Sequence, residues 1–116
     1  MPEIDTTESQ LVQALVQATK AGTAKWEMAT SENEFALSND AGTVFVGRGI
    51  YHTRPQYKLT LLNQDLVAVV KISTVQGDNI YANQQLLFNV LKDLYAGAEK
   101  LAKNTDNTVS DFIKGL

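Results

Sequence analysis

The spacing of apolar positions changes period twice along this chain, and each change marks a new element. Leu11, Ala14, Leu15 and Ala18 recur at helical spacing, which predicts a first helix from about Glu8 to Ala21. Asp5, three residues before Glu8, resembles a capping box, and Gly22 is placed to stop the helix. The period then falls to two. Trp26 and Met28 alternate with Lys25, Glu27 and Ala29, and Phe35 and Leu37 with Glu34, Ala36 and Ser38. Asn39-Asp40-Ala41-Gly42 reads as a hairpin turn, with Gly42 able to take positive φ. The next strand starts at Thr43 and runs to Val46 or on to Tyr51. Gly47 and Gly49 around Arg48 read as a bulge or a close backbone approach. Pro55 should end that strand or lie on an edge. Tyr57 to Leu62 is a further strand, Asn63-Gln64-Asp65 a polar turn, and Leu66 to Thr74 the last strand.

Helical periodicity returns after the loop Gln76-Gly77-Asp78-Asn79. From Asn79 to Ala102 the apolar positions are Ile80, Leu87, Leu91, Leu94, Ala98 and Leu101, a long amphipathic helix. Asn104-Thr105-Asp106 breaks it. A short terminal helix follows, with Val109, Phe112, Ile113 and Leu116 at i, i+3, i+4 and i+7. Short strands joined by tight turns make an antiparallel meander of four to five strands. Helices before and after it can cover one face. The expected fold is therefore a two-layer α+β domain spanning residues 1–116. A chain of this length buries roughly two thirds of its unfolded surface, enough for one core without disulfides or metals.

Composition narrows the function more than the fold. Hydrophobic residues make up 44% and charged residues 20%, ordinary globular values, and the net charge is −3. No basic field exists to draw in nucleic acid or an anionic membrane. The absence of Cys removes thiolate metal sites and thiol catalysis. Met1-Pro2-Glu3-Ile4-Asp5 lacks the basic start and apolar run of a signal peptide, and no window approaches the ~18 apolar residues of a membrane span. A cytoplasmic protein is expected.

The order helix, Trp26, Glu34-Phe35, Val44-Phe45-Val46, Tyr57-Lys58-Leu59-Thr60-Leu61, Leu91-Lys92-Asp93-Leu94-Tyr95-Ala96-Gly97-Ala98 and terminal Ile113-Lys114-Gly115-Leu116 resembles a group of small uncharacterised bacterial proteins. They share a strand Trp, a Tyr-x-Leu-x-Leu strand and a Leu-Tyr-x-x-Ala helix. The resemblance covers nearly the whole chain, and every matching position is a packing position. It implies a fold and a bacterial or phage origin, and no activity. The chain departs from the group at Asn63-Gln64-Asp65-Leu66, where the others carry Asp and Gly.

Few residues invite chemistry. His52, the one histidine, is flanked by both arginines, Arg48 and Arg54. Two guanidiniums and an imidazole can hold a phosphate or carboxylate, because Arg offers paired donors; the alternative is a solvated connection between strands. Gly47-x-Gly49 lacks the full glycine pattern and the following helix of a nucleotide loop. Glu27, Glu32 and Glu34 cluster near the first hairpin, but alternate with apolar residues as an outward strand face does. Ser31, Ser38, Ser73 and Ser110 show no nucleophile elbow. Tyr81, Phe88 and Tyr95 recur every seven residues, as a recognition stripe or as the edge of a core. No catalytic, metal or cofactor residue emerges, and a non-enzyme is expected.

The last strand is unusual in being apolar on both sides: Ala68, Val70 and Ile72 on one, Val67 and Val69 on the other. Phe45 and Leu62 are expected to join Val67 and Val69 on the second face, which a further helix or a second subunit would cover. The leading expectation is a non-catalytic protein-binding or assembly module, self-associating as a homodimer, with no nucleic-acid or membrane partner. The alternative is an anion or small-molecule binder using Arg48, His52 and Arg54.

Overall fold

The computed structural model describes residues 6–76 and 82–116. Its elements run α1 (Thr6–Ala21), β1 (Glu27–Met28), β2 (Glu34–Asn39), β3 (Gly42–Tyr51), β4 (Arg54–Asn63), β5 (Ala68–Val75), α2 (Ala82–Ala102) and α3 (Thr105–Lys114). The five strands form one antiparallel sheet in the order β1-β2-β3-β4-β5, so every connection is a hairpin or a short link. The fold is α+β. Asp5 and Asn79 to Tyr81, with the capping box and the start of the long helix read there, lie outside the described residues.

The period-two pattern is realised as rows across the sheet. Phe35, Val46, Leu59 and Ile72 are register partners on β2 to β5, and all are buried. Leu37, Val44, Leu61 and Val70 form the next inward row. Helix α2 lies across this face and meets all five strands, bringing Phe88, Leu91, Leu94, Tyr95 and Ala98 to the core. Helix α1 packs beside α2 and contributes Val12 and Leu15. The outward rows are mainly polar: Glu34, Gly47, Lys58 and Ser73 in one, Ala36, Phe45, Thr60 and Lys71 in another.

That alternation corrects the reading of a last strand apolar on both sides. Strand β5 begins at Ala68, and Leu66 and Val67 belong to the preceding turn, where Leu66 has φ 63°. Asn63 holds this turn: its Oδ1 accepts from the N–H groups of Asp65 and Val67. A register shift at Leu61/Leu62 then pairs Leu62 with Ala68 and leaves Val69 as the extra residue. The bulge reverses parity, so Ala68 faces outward with Leu62, opposite to Val70 and Ile72. Beyond it, Lys71 and Ser73 alternate with Ile72 and Thr74 as in any half-solvated strand.

Glycine positions separate into distinct causes. Gly22 takes φ +77° at the end of α1, as a helix stop should. Gly42 does not take positive φ; a Cβ there would sit 2.1 Å from the Leu62 carbonyl oxygen, so the close passage of β4 demands glycine. Gly47 and Gly49 stand in regular pairing with Lys58 and Gln56, and a Cβ at either would meet nothing closer than 3.6 Å. The bulge expected there lies instead between β4 and β5.

The two long helices touch at Gly97. A Cβ on Gly97 would lie 2.7 Å from Thr19 Cγ2. Thr19 is itself fixed, its Oγ1 accepting a 2.9 Å hydrogen bond from buried Trp26 Nε1–H. This contact ties α1 to α2 and to the segment entering β1. Gly97→Ala is expected to destabilise by about 1–3 kcal/mol through overpacking, offset in part by the ~0.5–1 kcal/mol that Ala gains over Gly in a helix. Thr19→Ser keeps the acceptor for Trp26 and removes the clashing methyl. Denaturant melts should therefore show at least half of the Gly97→Ala loss recovered in the Thr19→Ser background. Equal losses in both backgrounds would place the crossing elsewhere.

Candidate functional site

The residues singled out for anion binding are spread along one protruding hairpin. Strands β3 and β4 continue beyond the helix layer to a two-residue turn, His52-Thr53, with φ 47° and 67°. Two successive positive φ values make the mirror-image turn that suits strand twist, here without the usual Asn-Gly. The His52 ring meets Tyr51 edge to face at 4.3 Å. Arg54 pairs with Tyr51 at the tip, whereas Arg48 pairs with Tyr57 three register steps from Arg54. Side chains alternate along a strand, so these two positions share a face of β4's pairing only if their partners do. They do not: Arg48 stacks on the Tyr95 ring at 5.3 Å, on the helix side, with Tyr57 and Thr74 in its row. Arg54 belongs to the outward series with Gln56 and Lys58. The structure does not bring Arg48 and Arg54 together, and His52 stands exposed between their faces at the tip.

Arg48 instead roofs an aromatic cluster. Tyr95 lies 5.2 Å from Phe35 and 5.6 Å from Tyr57, and Tyr57 lies 5.3 Å from Phe88. Phe88 and Tyr95 are therefore core residues rather than a recognition stripe; Tyr81 lies outside the described residues. The Tyr95 hydroxyl is buried and has no hydrogen-bond partner among the described residues. Burial raises its pKa above the ordinary tyrosine value, and the Arg48 charge counters part of that rise.

A shallow hollow of about 270 Å³ on the outward sheet face has Arg48 in its lining, with Glu34, Phe45, Gly47, Gln56, Lys58 and Thr60, and includes neither His52 nor Arg54. Its groups are ordinary strand side chains, and Gln56 Nε2–H donates to Ser73 Oγ across the neighbouring strand at 2.9 Å. Glu27 and Glu32 are exposed and Glu34 half-buried. Among the described residues, no three His, Asp or Glu side chains come close enough to hold a metal ion. No described helix is long and apolar enough to cross a membrane.

The residues expected at an interface are dispersed. Phe45 and Leu62 are half-buried on the outward face. Val67 is exposed in the turn before β5. Val69 and Leu62 border one open hollow of about 380 Å³ under α1, with Leu11, Leu15, Leu37, Val44 and Leu61, whereas Phe45 and Val67 are outside its lining. The four therefore make no single continuous apolar patch.

Such a patch exists on α3. Asn104, in the left-handed conformation at φ 53°, turns the chain out of α2, and its carbonyl accepts from Thr108 N–H. Lys100 and Asp106 bridge the junction at 3.4 Å. The helix then runs free of the core, with Val109 at 51%, Phe112 at 69%, Ile113 at 62% and Leu116 at 90% exposure. One face of α3 thus presents Val109, Phe112 and Ile113 to solvent, and Leu116 follows just past the helix end. A second apolar feature lies between α1 and α2, away from the sheet. It is a groove of about 660 Å³ lined by Val12, Val16, Leu86, Leu87 and Val90, with Ser9, Gln13, Gln17 and Lys20 on its rim. Sequence reasoning saw the α3 stripe but treated it as packing. It missed the groove, although Val12 with Val16 and Leu86 with Val90 are i, i+4 pairs beside the buried arcs. No protein-family model, curated protein or solved structure matches the chain.

Proposed function

We propose that the chain is a non-catalytic protein-binding or assembly module, of bacterial or phage origin, whose contact surface is the apolar face of α3. The observation that carries this reading is the exposure of Val109, Phe112 and Ile113 together on one face of α3, with exposed Leu116 just past its end. A lone exposed Leu is ordinary, but a cluster of large side chains on one side of an amphipathic helix is the form in which helices enter grooves on partners. The polar side of the same helix carries Asp111 and Lys114, which keep it soluble while the stripe is free. The dispersed placement of Arg48, His52 and Arg54 gives the anion-binding alternative no comparable support.

A photo-crosslinking residue at Ile113, introduced in the cells that make the protein, tests the reading. It should give protein adducts at several times the yield of the same residue at Ser73, on the outward sheet face. Phe112→Lys with Leu116→Lys should abolish them. Equal yields at both positions would remove α3 from the contact surface.

A further inference from the structure

We infer that the occupant of this surface is a second copy of the chain, with α3 of each protomer seated in the α1/α2 groove of the other. The inference rests on α3 being a contact surface and adds what it contacts.

The groove is long enough to take the stripe. From Val109 to Leu116 the stripe spans about 10 Å at the helical rise. The groove follows α1 from Ser9 to Lys20, about 16 Å on the same rise. A helix laid along two parallel neighbours contacts both through residues at i, i+3, i+4 and i+7, which is the spacing of Val109, Phe112, Ile113 and Leu116.

Charge agrees as well. Among the described residues lining the groove, Lys20 alone is charged. On α3 the charged residue flanking the stripe is Asp106, while Asp111 and Lys114 fall on the opposite side at 100° per residue. Asp106 is now held by Lys100 in an exposed pair, which solvent and salt weaken. Its own chain's Lys20 borders the same hollow as Asp106, so charge permits this docking without selecting the second copy by itself.

Area and symmetry complete the case. The uncovered parts of the stripe, with exposed Leu86 and Val90, give on the order of 1,200 Å² over two protomers, at the lower edge of stable interfaces. Since each copy owns one stripe and one groove, two copies satisfy both reciprocally and the assembly closes at a dimer. Within one chain the start of α3, at Asn104 to Asn107, reaches the Lys20 end of α1, while its apolar side chains stay exposed and leave that chain's own groove unfilled.

The chain contains no cysteine, so engineered pairs report directly. Full-length Val90→Cys and full-length Ile113→Cys, mixed under mild oxidant, should form the mixed disulfide at least tenfold faster than Ser73→Cys with Ile113→Cys. Sedimentation of the cysteine-free protein should show a dimer whose Kd rises at least tenfold in Phe112→Lys. A rate equal to the control overturns the inference. So does rapid closure of a disulfide within one chain carrying both Val90→Cys and Ile113→Cys, which would mean that α3 folds back on its own groove. Adducts at Ile113 to a different protein, with a monomer in sedimentation, overturn self-docking and leave the contact-surface reading standing.

Discussion

Replacing Phe35 by Ala is expected to cost about 3–5 kcal/mol of unfolding free energy, a large share of the 5–15 kcal/mol typical of a domain. Phe35 is fully buried on β2, in the inward row with Val46, Leu59 and Ile72. Its ring also meets Tyr95 of α2 at 5.2 Å, so truncation opens a cavity where sheet and helix join. Neighbours on a five-stranded sheet cannot close that space without bending the strands, so little of the loss is recovered by collapse. Phe45 supplies the control. It is the same residue type one register step away on β3, opposite Ala36, but faces outward and is half-buried. Phe45→Ala should cost roughly 1 kcal/mol, the loss of partial burial without an enclosed cavity. Urea melts at equal protein concentration measure both. A larger loss at Phe45 than at Phe35 would put the helices on the other face of the sheet.

The element order was legible because each segment declares its period. Leu11 to Ala18 and Leu87 to Leu101 read as helices, Phe35 and Leu37 as a half-buried strand, and all took those forms. Parity was legible only while pairing stayed regular. From Leu66 to Ile72 the apolar run gave no phase, and the phase depends on an unpaired residue, Val69, that no local pattern announces. The turn made by Asn63 moved the strand start two residues later and took Val67 out of the sheet.

The candidate site was legible in composition and hidden in geometry. Arg48, His52 and Arg54 are close in sequence, yet a β-hairpin separates neighbours by face as well as by distance, so proximity along the chain did not become convergence. The α3 stripe carries the opposite lesson. Its periodicity was plain at Val109, Phe112, Ile113 and Leu116, and an amphipathic helix ordinarily implies a covered face. In this structure α3 leaves α2 at Asn104, in the left-handed region, and its stripe stays uncovered by its own chain. Periodicity records that a face is apolar and is silent on which chain buries it.

Leu91→Ala should lower stability by about 2–5 kcal/mol, whereas Leu86→Ala on the same helix should change it by no more than about 0.5 kcal/mol. Leu91 is fully buried at the centre of α2, within the cluster that includes Phe88, Leu94 and the inward sheet rows. Leu86 is 66% exposed beside the α1/α2 groove. The two residues are five positions apart, about 140° around the helix axis, so they cannot share a face. The comparison must be made well below the concentration at which protomers associate, because docking of a second copy would bury Leu86 and raise its apparent cost. Run at two concentrations, the same pair of melts separates the two roles. The Leu91→Ala loss should be independent of concentration. The Leu86→Ala loss should grow as the protein is concentrated into the dimer. Similar losses for both residues in dilute solution would mean that α2 is rotated from the orientation described, with the groove face turned toward the sheet.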